Sequence, residues 1–74
     1  MKVIKMMVLD TEKVKALRTQ LGYSQSYVAE NIGYRNKSIY CNLERGNRQP
    51  SITKLVRLAK FLNVTTEEIL KESV

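Results

Sequence analysis

The side chains in this sequence best suited to recognition chemistry are Lys37, Ser38, Cys41 and Asn42, with Arg35, Asn36, Arg45, Asn47 and Arg48 around them. Lysine donates well to guanine O6 and N7, asparagine pairs with adenine N6 and N7, and serine can donate or accept. Arginine and asparagine flanking such a set suit phosphate oxygens. From Arg35 to Arg48 the sole acid is Glu44. Any one of these arginines taken alone is equally well read as a solvated surface charge. Clustered around one short segment, they point to an anionic partner, with duplex DNA the first candidate.

Composition narrows the alternatives. The chain has 74 residues, 13 Lys and Arg against 7 Asp and Glu, and a formal net charge of +6. That length makes one small domain, whose core must be efficient. With no histidine and a single cysteine, Cys41, the sequence has neither the usual zinc-ligand sets nor an intrachain disulfide. No metal, no cofactor and a reducing, cytoplasmic setting are therefore expected. The uncharged run Met6 to Leu9 is far shorter than the roughly 20 residues that span a bilayer, and no membrane association is expected.

An enzyme fits poorly. There is no Gly-rich phosphate loop and no pair of carboxylates in an evident pocket, and Cys41 has no histidine to act as its base. Glu67 and Glu68 are adjacent, but acids in a first helical turn favour the helix dipole. Tyr23, Tyr27 and Tyr34 could stack on unpaired bases. Ring packing with exposed hydroxyls is the stronger reading, because no sheet platform for single strands is evident.

Five helical segments would position these residues. Asp10 or Thr11 caps the first, which carries Val14, Leu17 and Leu21 on one stripe and ends at Gly22. Ser24 caps the second, with Val28, Ala29 and Ile32 inward and Gly33 closing it. Asn36 caps the third, which runs to about Glu44. Ser51 caps the fourth, with Ile52, Leu55, Leu58, Ala59 and Leu62 as its apolar stripe. Thr65 and Glu68 make a capping box that opens the fifth, with Ile69 and Leu70 closing over the core. Residues 1–9 read as an arm or strand and 10–74 as the helical domain. Helices two and three, joined by a glycine turn, have the layout of a helix-turn-helix, which places its second helix in the DNA major groove.

From about Val14 to Leu70 the chain resembles the Cro/C1-type (Xre-like) helix-turn-helix family of bacterial and phage repressors. The matching pieces are LRTQLGYSQ (17–25), VAENIG (28–33), NLERG (42–46), QPS (49–51) and LVRLAKFLNVTTEEIL (55–70). The resemblance implies an all-α, five-helix lambda-repressor-like DNA-binding domain, here with a short N-terminal extended arm. It implies an ion pair between Arg18 and Glu44 that fixes the first helix against the third. Gln25 matches the family's phosphate-contacting glutamine.

One departure bears on register. Gly33 to Glu44 is one residue longer than the family's usual interval. Placing the extra residue in the turn leaves Tyr40 and Leu43 facing inward. The alternative makes Ile39 the core residue and turns Asn42 inward, where an unpartnered amide is costly. The longer turn is preferred.

The expected function is sequence-specific binding of double-stranded DNA by a transcriptional regulator, a repressor acting by occlusion. Base contacts are assigned to Lys37, Ser38, Cys41 and Asn42. Backbone contacts are assigned to Gln25, Arg35, Asn36, Arg45, Asn47 and Arg48. A homodimer is expected, since one such motif reads few base pairs and relatives bind half-sites about 34–36 Å apart. Its interface would use Val3 to Leu9, or the surface around Phe61 to Val64 and Val74. The alternative is the antitoxin or accessory subunit of a toxin–antitoxin pair.

Overall fold

Four polar side chains start the four helices. In a computed structural model that describes residues 6–73, Asp10 accepts the Lys13 N–H (3.2 Å) and opens α1, Thr11–Gln20. Ser24 accepts the Tyr27 N–H (3.0 Å) and opens α2, Gln25–Asn31. Asn36 accepts the Ser38 N–H (2.8 Å) and opens α3, Lys37–Arg45. Ser51 accepts the Lys54 N–H (3.2 Å) and opens α4, Ile52–Phe61. Each cap satisfies a backbone donor that the helix cannot, and is worth about 1 kcal/mol.

A left-handed residue follows each of the four helices. Gly46 (φ 81°) ends α3. Its N–H bonds the Leu43 carbonyl (3.1 Å) and the Asn47 N–H reaches back to the Asn42 carbonyl (3.0 Å), the double closure of a Schellman motif. Asn63 (φ 62°) has the same role after α4, with the Val64 N–H bonded to the Ala59 carbonyl (2.9 Å). Asparagine tolerates this conformation better than most side chains.

The expected fifth helix does not form. The Glu68 N–H does bond Thr65 Oγ1 (3.3 Å), but the capped segment is a single 3-10 turn, Glu67–Ile69. The chain then extends into β2, Leu70–Glu72, which pairs antiparallel with β1, Met7–Leu9. The register sets Met7 against Glu72, Val8 against Lys71 and Leu9 against Leu70. Helix nucleation is costly for a short segment, and the neighbouring β1 offers this one a ladder of backbone partners. The described part of the N-terminal arm is thus a strand on its own domain. Residues 1–5 and Val74, where part of the expected dimer surface falls, lie outside the described residues.

The core draws on β1, the four helices and the 3-10 turn. Leu9, Val14, Val28, Ala29 and Ile32 meet Tyr40 and Leu43 of α3, and Leu58, Ala59, Leu62 and Ile69 complete it. Burying a large apolar side chain contributes about 1.5–3 kcal/mol. Two members of the expected stripes are outside it. Leu21 is 44% exposed because α1 stops one residue earlier. Ile52 is 80% exposed because it opens α4, before that helix reaches the core. Tyr23, Tyr27 and Phe61 form a ring cluster with centroids 4.9–5.7 Å apart. Among the described residues, no helix is long and apolar enough to cross a membrane.

Candidate nucleic-acid interface

The register of α3 decides what this helix presents. Tyr40 and Leu43 are fully buried, whereas Ile39 and Asn42 are only half-buried. The chain therefore adopts the longer turn, with Gly33, Tyr34 and Arg35 ahead of the Asn36 cap. Gly33 takes φ 95°, a backbone state that a side chain would resist. Tyr40 and Leu43, three apart, hold α3 from behind. Lys37, Ser38 and Arg45 are exposed on the opposite side, with Cys41 and Asn42 half-buried between them.

Behind this face lies a connected polar core. Arg18 Nε donates to Glu44 Oε2 (2.7 Å) and Arg18 Nη2 to Glu44 Oε1 (3.1 Å). The geometry is the two-pronged pairing that arginine makes with carboxylates. Arg18 Nη1 also donates to the Tyr23 carbonyl (2.9 Å). Glu44 is 1% exposed and Arg18 17%. Burial pushes the Glu44 carboxyl up, but donation from Arg18, the neighbouring Tyr40 hydroxyl and donation from Gln25 hold it below the usual carboxylate range. The Tyr40 hydroxyl is itself buried without a hydrogen bond of good geometry. Burial first, and then the Glu44 charge, raise its pKa well above the ordinary tyrosine value.

Gln25 extends this core to the outward side of α3. Its Nε2 donates to Glu44 Oε1 (3.0 Å), and its Oε1 accepts from Cys41 Sγ (3.2 Å). Helix α1, the start of α2, and both the middle and the end of α3 are thereby linked through side chains. Gln25 and Cys41 each have an internal partner, a tie that their sequence positions do not disclose.

The other assigned residues sit around α3. Arg35 and Asn36 are exposed in the turn before it, and Asn47 and Arg48 are exposed in the loop after it. The Asn36 side-chain oxygen is spent on the cap, and the Asn47 N–H is spent on closing α3. Gln49 has a role that the sequence does not announce. Its Oε1 accepts the Leu9 N–H (2.9 Å), tying the loop after α3 to β1. Gln49 opens the QPS segment, but no local pattern reveals a bond across 40 positions.

Known proteins share this geometry. A family model described as Helix-turn-helix matches residues 14–69. The SPbeta prophage-derived uncharacterized HTH-type transcriptional regulator YonR of Bacillus subtilis is 35% identical over 60 residues, covering 81% of this chain and 55% of that protein. The cryptic phage CTXphi transcriptional repressor RstR of Vibrio cholerae is 32% identical over 63 residues, covering 85% and 56%. The chain thus spans about half the length of these two relatives. Among solved structures, SinR, described as the master regulator for biofilm formation, in complex with DNA superposes with a TM-score of 0.70 at 32% identity, covering 80% of this chain and 94% of that one. The restriction-modification controller protein C.AhdI of Aeromonas hydrophila gives 0.71 at 31%, covering 78% and 86%. With its four helices, glycine turn and buried arginine–glutamate pair in place, the chain belongs to the Cro/C1-type helix-turn-helix family.

Proposed function

We propose that this protein is a regulator of transcription that binds double-stranded DNA by sequence, as a repressor acting through occlusion and as a homodimer. The observation that carries this reading is the outward side of α3. It gathers Lys37, Ser38, Asn42 and Arg45 on a helix whose opposite side is anchored by Tyr40 and Leu43. Lys37, Ser38, Cys41 and Asn42 read base edges. Gln25, Arg35, Asn36, Arg45, Asn47 and Arg48 hold phosphates on either side of the groove. Gln25 keeps one amide hydrogen for such a phosphate after its bond to Glu44. The relatives named as transcriptional regulators and repressors, and the solved complex of SinR with DNA, support the same assignment.

Dimerisation supplies the second α3 that a palindromic site requires. The exposed Met6 and Met7, at the outer end of the β1–β2 ribbon, support a contact on that side of the domain.

A mobility-shift titration with promoter DNA next to the gene tests the reading, comparing wild type with Asn42→Ala and Arg45→Ala. Both variants should shift the DNA less well than wild type. Binding unaffected by either substitution would refute the assigned face.

A further inference from the structure

A second group of cations lies beside the recognition helix, on the helix that succeeds the helix-turn-helix. The Lys54 ammonium of α4 sits over the Tyr34 ring, 5.2 Å from its centroid. Arg48 is close enough to Tyr34 to favour its ionised form, although burial prevails and keeps that pKa above the ordinary value. Arg57, nearly one turn beyond Lys54, lies against the Gly33 backbone. A Cβ placed on Gly33 would meet Arg57 Nη1 at 2.6 Å and Lys54 Nζ at 3.2 Å. No ion pair among the described residues takes up Arg48, Lys54 or Arg57.

The acid facing this group is Glu30. It lines one depression with Tyr34, Arg35 and Lys37, and another with Gly33, Arg57 and Lys60. The cations outnumber it. Like charges held together on a folded surface repel, and a polyanion relieves that repulsion. Tyr34 stands two residues ahead of the Asn36 cap. This group therefore flanks the end of α3 that leads into the groove, where the neighbouring DNA surface is sugar and phosphate.

We infer that Lys54 and Arg57 form a second phosphate clamp on α4, outside the helix-turn-helix, gripping the DNA backbone that flanks the groove entered by α3. The inference rests on the DNA-binding reading and adds to it a contact that is blind to sequence. The competing role for the same side chains is to neutralise the carbonyl end of α2 at Gly33.

Salt dependence separates the two roles. The probe is a duplex selected by the protein from a random library, titrated at several salt concentrations. Observed affinity falls with salt by a logarithmic slope of about 0.9 per phosphate neutralised. Lys54→Gln with Arg57→Gln should therefore make the slope shallower by about 1.8 and weaken selected and scrambled duplexes by the same factor. Glu30→Gln should tighten both. Lys15→Gln, an exposed charge on α1, sets the background for losing one distant cation. A double variant with the wild-type slope, or one no further from it than Lys15→Gln, overturns the clamp. A lowered melting temperature with the slope unchanged also overturns it and assigns the cations to α2. Wild-type protein that binds no duplex at all overturns the parent reading instead.

Discussion

Gln25 donates to the same Glu44 oxygen that receives Arg18 Nη2, the two bonds measuring 3.0 and 3.1 Å. The start of α2 and the end of α3 are thus held by one buried carboxylate, whose charge is balanced from α1. Both segments carry proposed DNA contacts, and this carboxylate fixes the spacing between the two segments.

Removing Arg18 while keeping Glu44 leaves a buried charge without a partner. Arg18→Ala should cost about 3–5 kcal/mol of stability, whereas Arg18→Met combined with Glu44→Leu should recover most of it. Urea denaturation of the three proteins measures this. A single variant losing less than about 1 kcal/mol would show that the pair is dispensable.

The same carboxylate makes stability depend on acid. Its folded pKa lies below its ordinary value of 4.5, so the folded state favours the ionised form. That contribution is complete above pH 4.5 and is lost as pH falls through the folded pKa. Glu44→Gln should flatten this part of the curve. Tyr40 acts at the other end. Its raised folded pKa means that stability falls as pH rises above the ordinary value of 10.0, where the unfolded tyrosine ionises first. Tyr40→Phe should weaken that alkaline limb. Denaturation midpoints measured across pH check both signs.

Gly46 and Gly33 both take positive φ, but their surroundings differ. A Cβ at Gly46 meets nothing within 4 Å, so Gly46→Ala should cost only the backbone penalty, about 1–2 kcal/mol. Gly33→Ala adds displacement of the Arg57 guanidinium. Thermal melts should rank Gly33→Ala below Gly46→Ala, and Gly46→Asn closest to wild type.

Gln49→Ala should free the Leu9 N–H, destabilise the domain by about 1 kcal/mol and speed exchange of that amide. Unchanged protection at Leu9 would mean that the strand pairing alone holds β1.

Local signals make much of this architecture legible. Ser24, Asn36 and Ser51 act within three residues of themselves, so their types announce helix starts. The register of α3 is readable because a buried Asn42 would be costly, while Tyr40 and Leu43 are spaced for one inward side. The fifth helix misleads because Thr65 and Glu68 mark a local start, whereas the fate of Leu70–Glu72 is set by β1 at the other end of the chain. The links of Gln25 to Cys41 and of Gln49 to Leu9 are tertiary in the same sense. Positions of the candidate DNA-facing residues can be read from helix spacing, but the partners of Gln25 cannot.

The most direct measurement is equilibrium affinity for a library-selected duplex and for its scrambled counterpart, in wild type and in Asn42→Ala. Asn42 sits on the outward side of α3, and a base contact there is worth about 1–3 kcal/mol of discrimination. Asn42→Ala should lose selected-site affinity while leaving scrambled-site affinity unchanged. Equal affinity of the wild type for both duplexes would contradict sequence reading by α3.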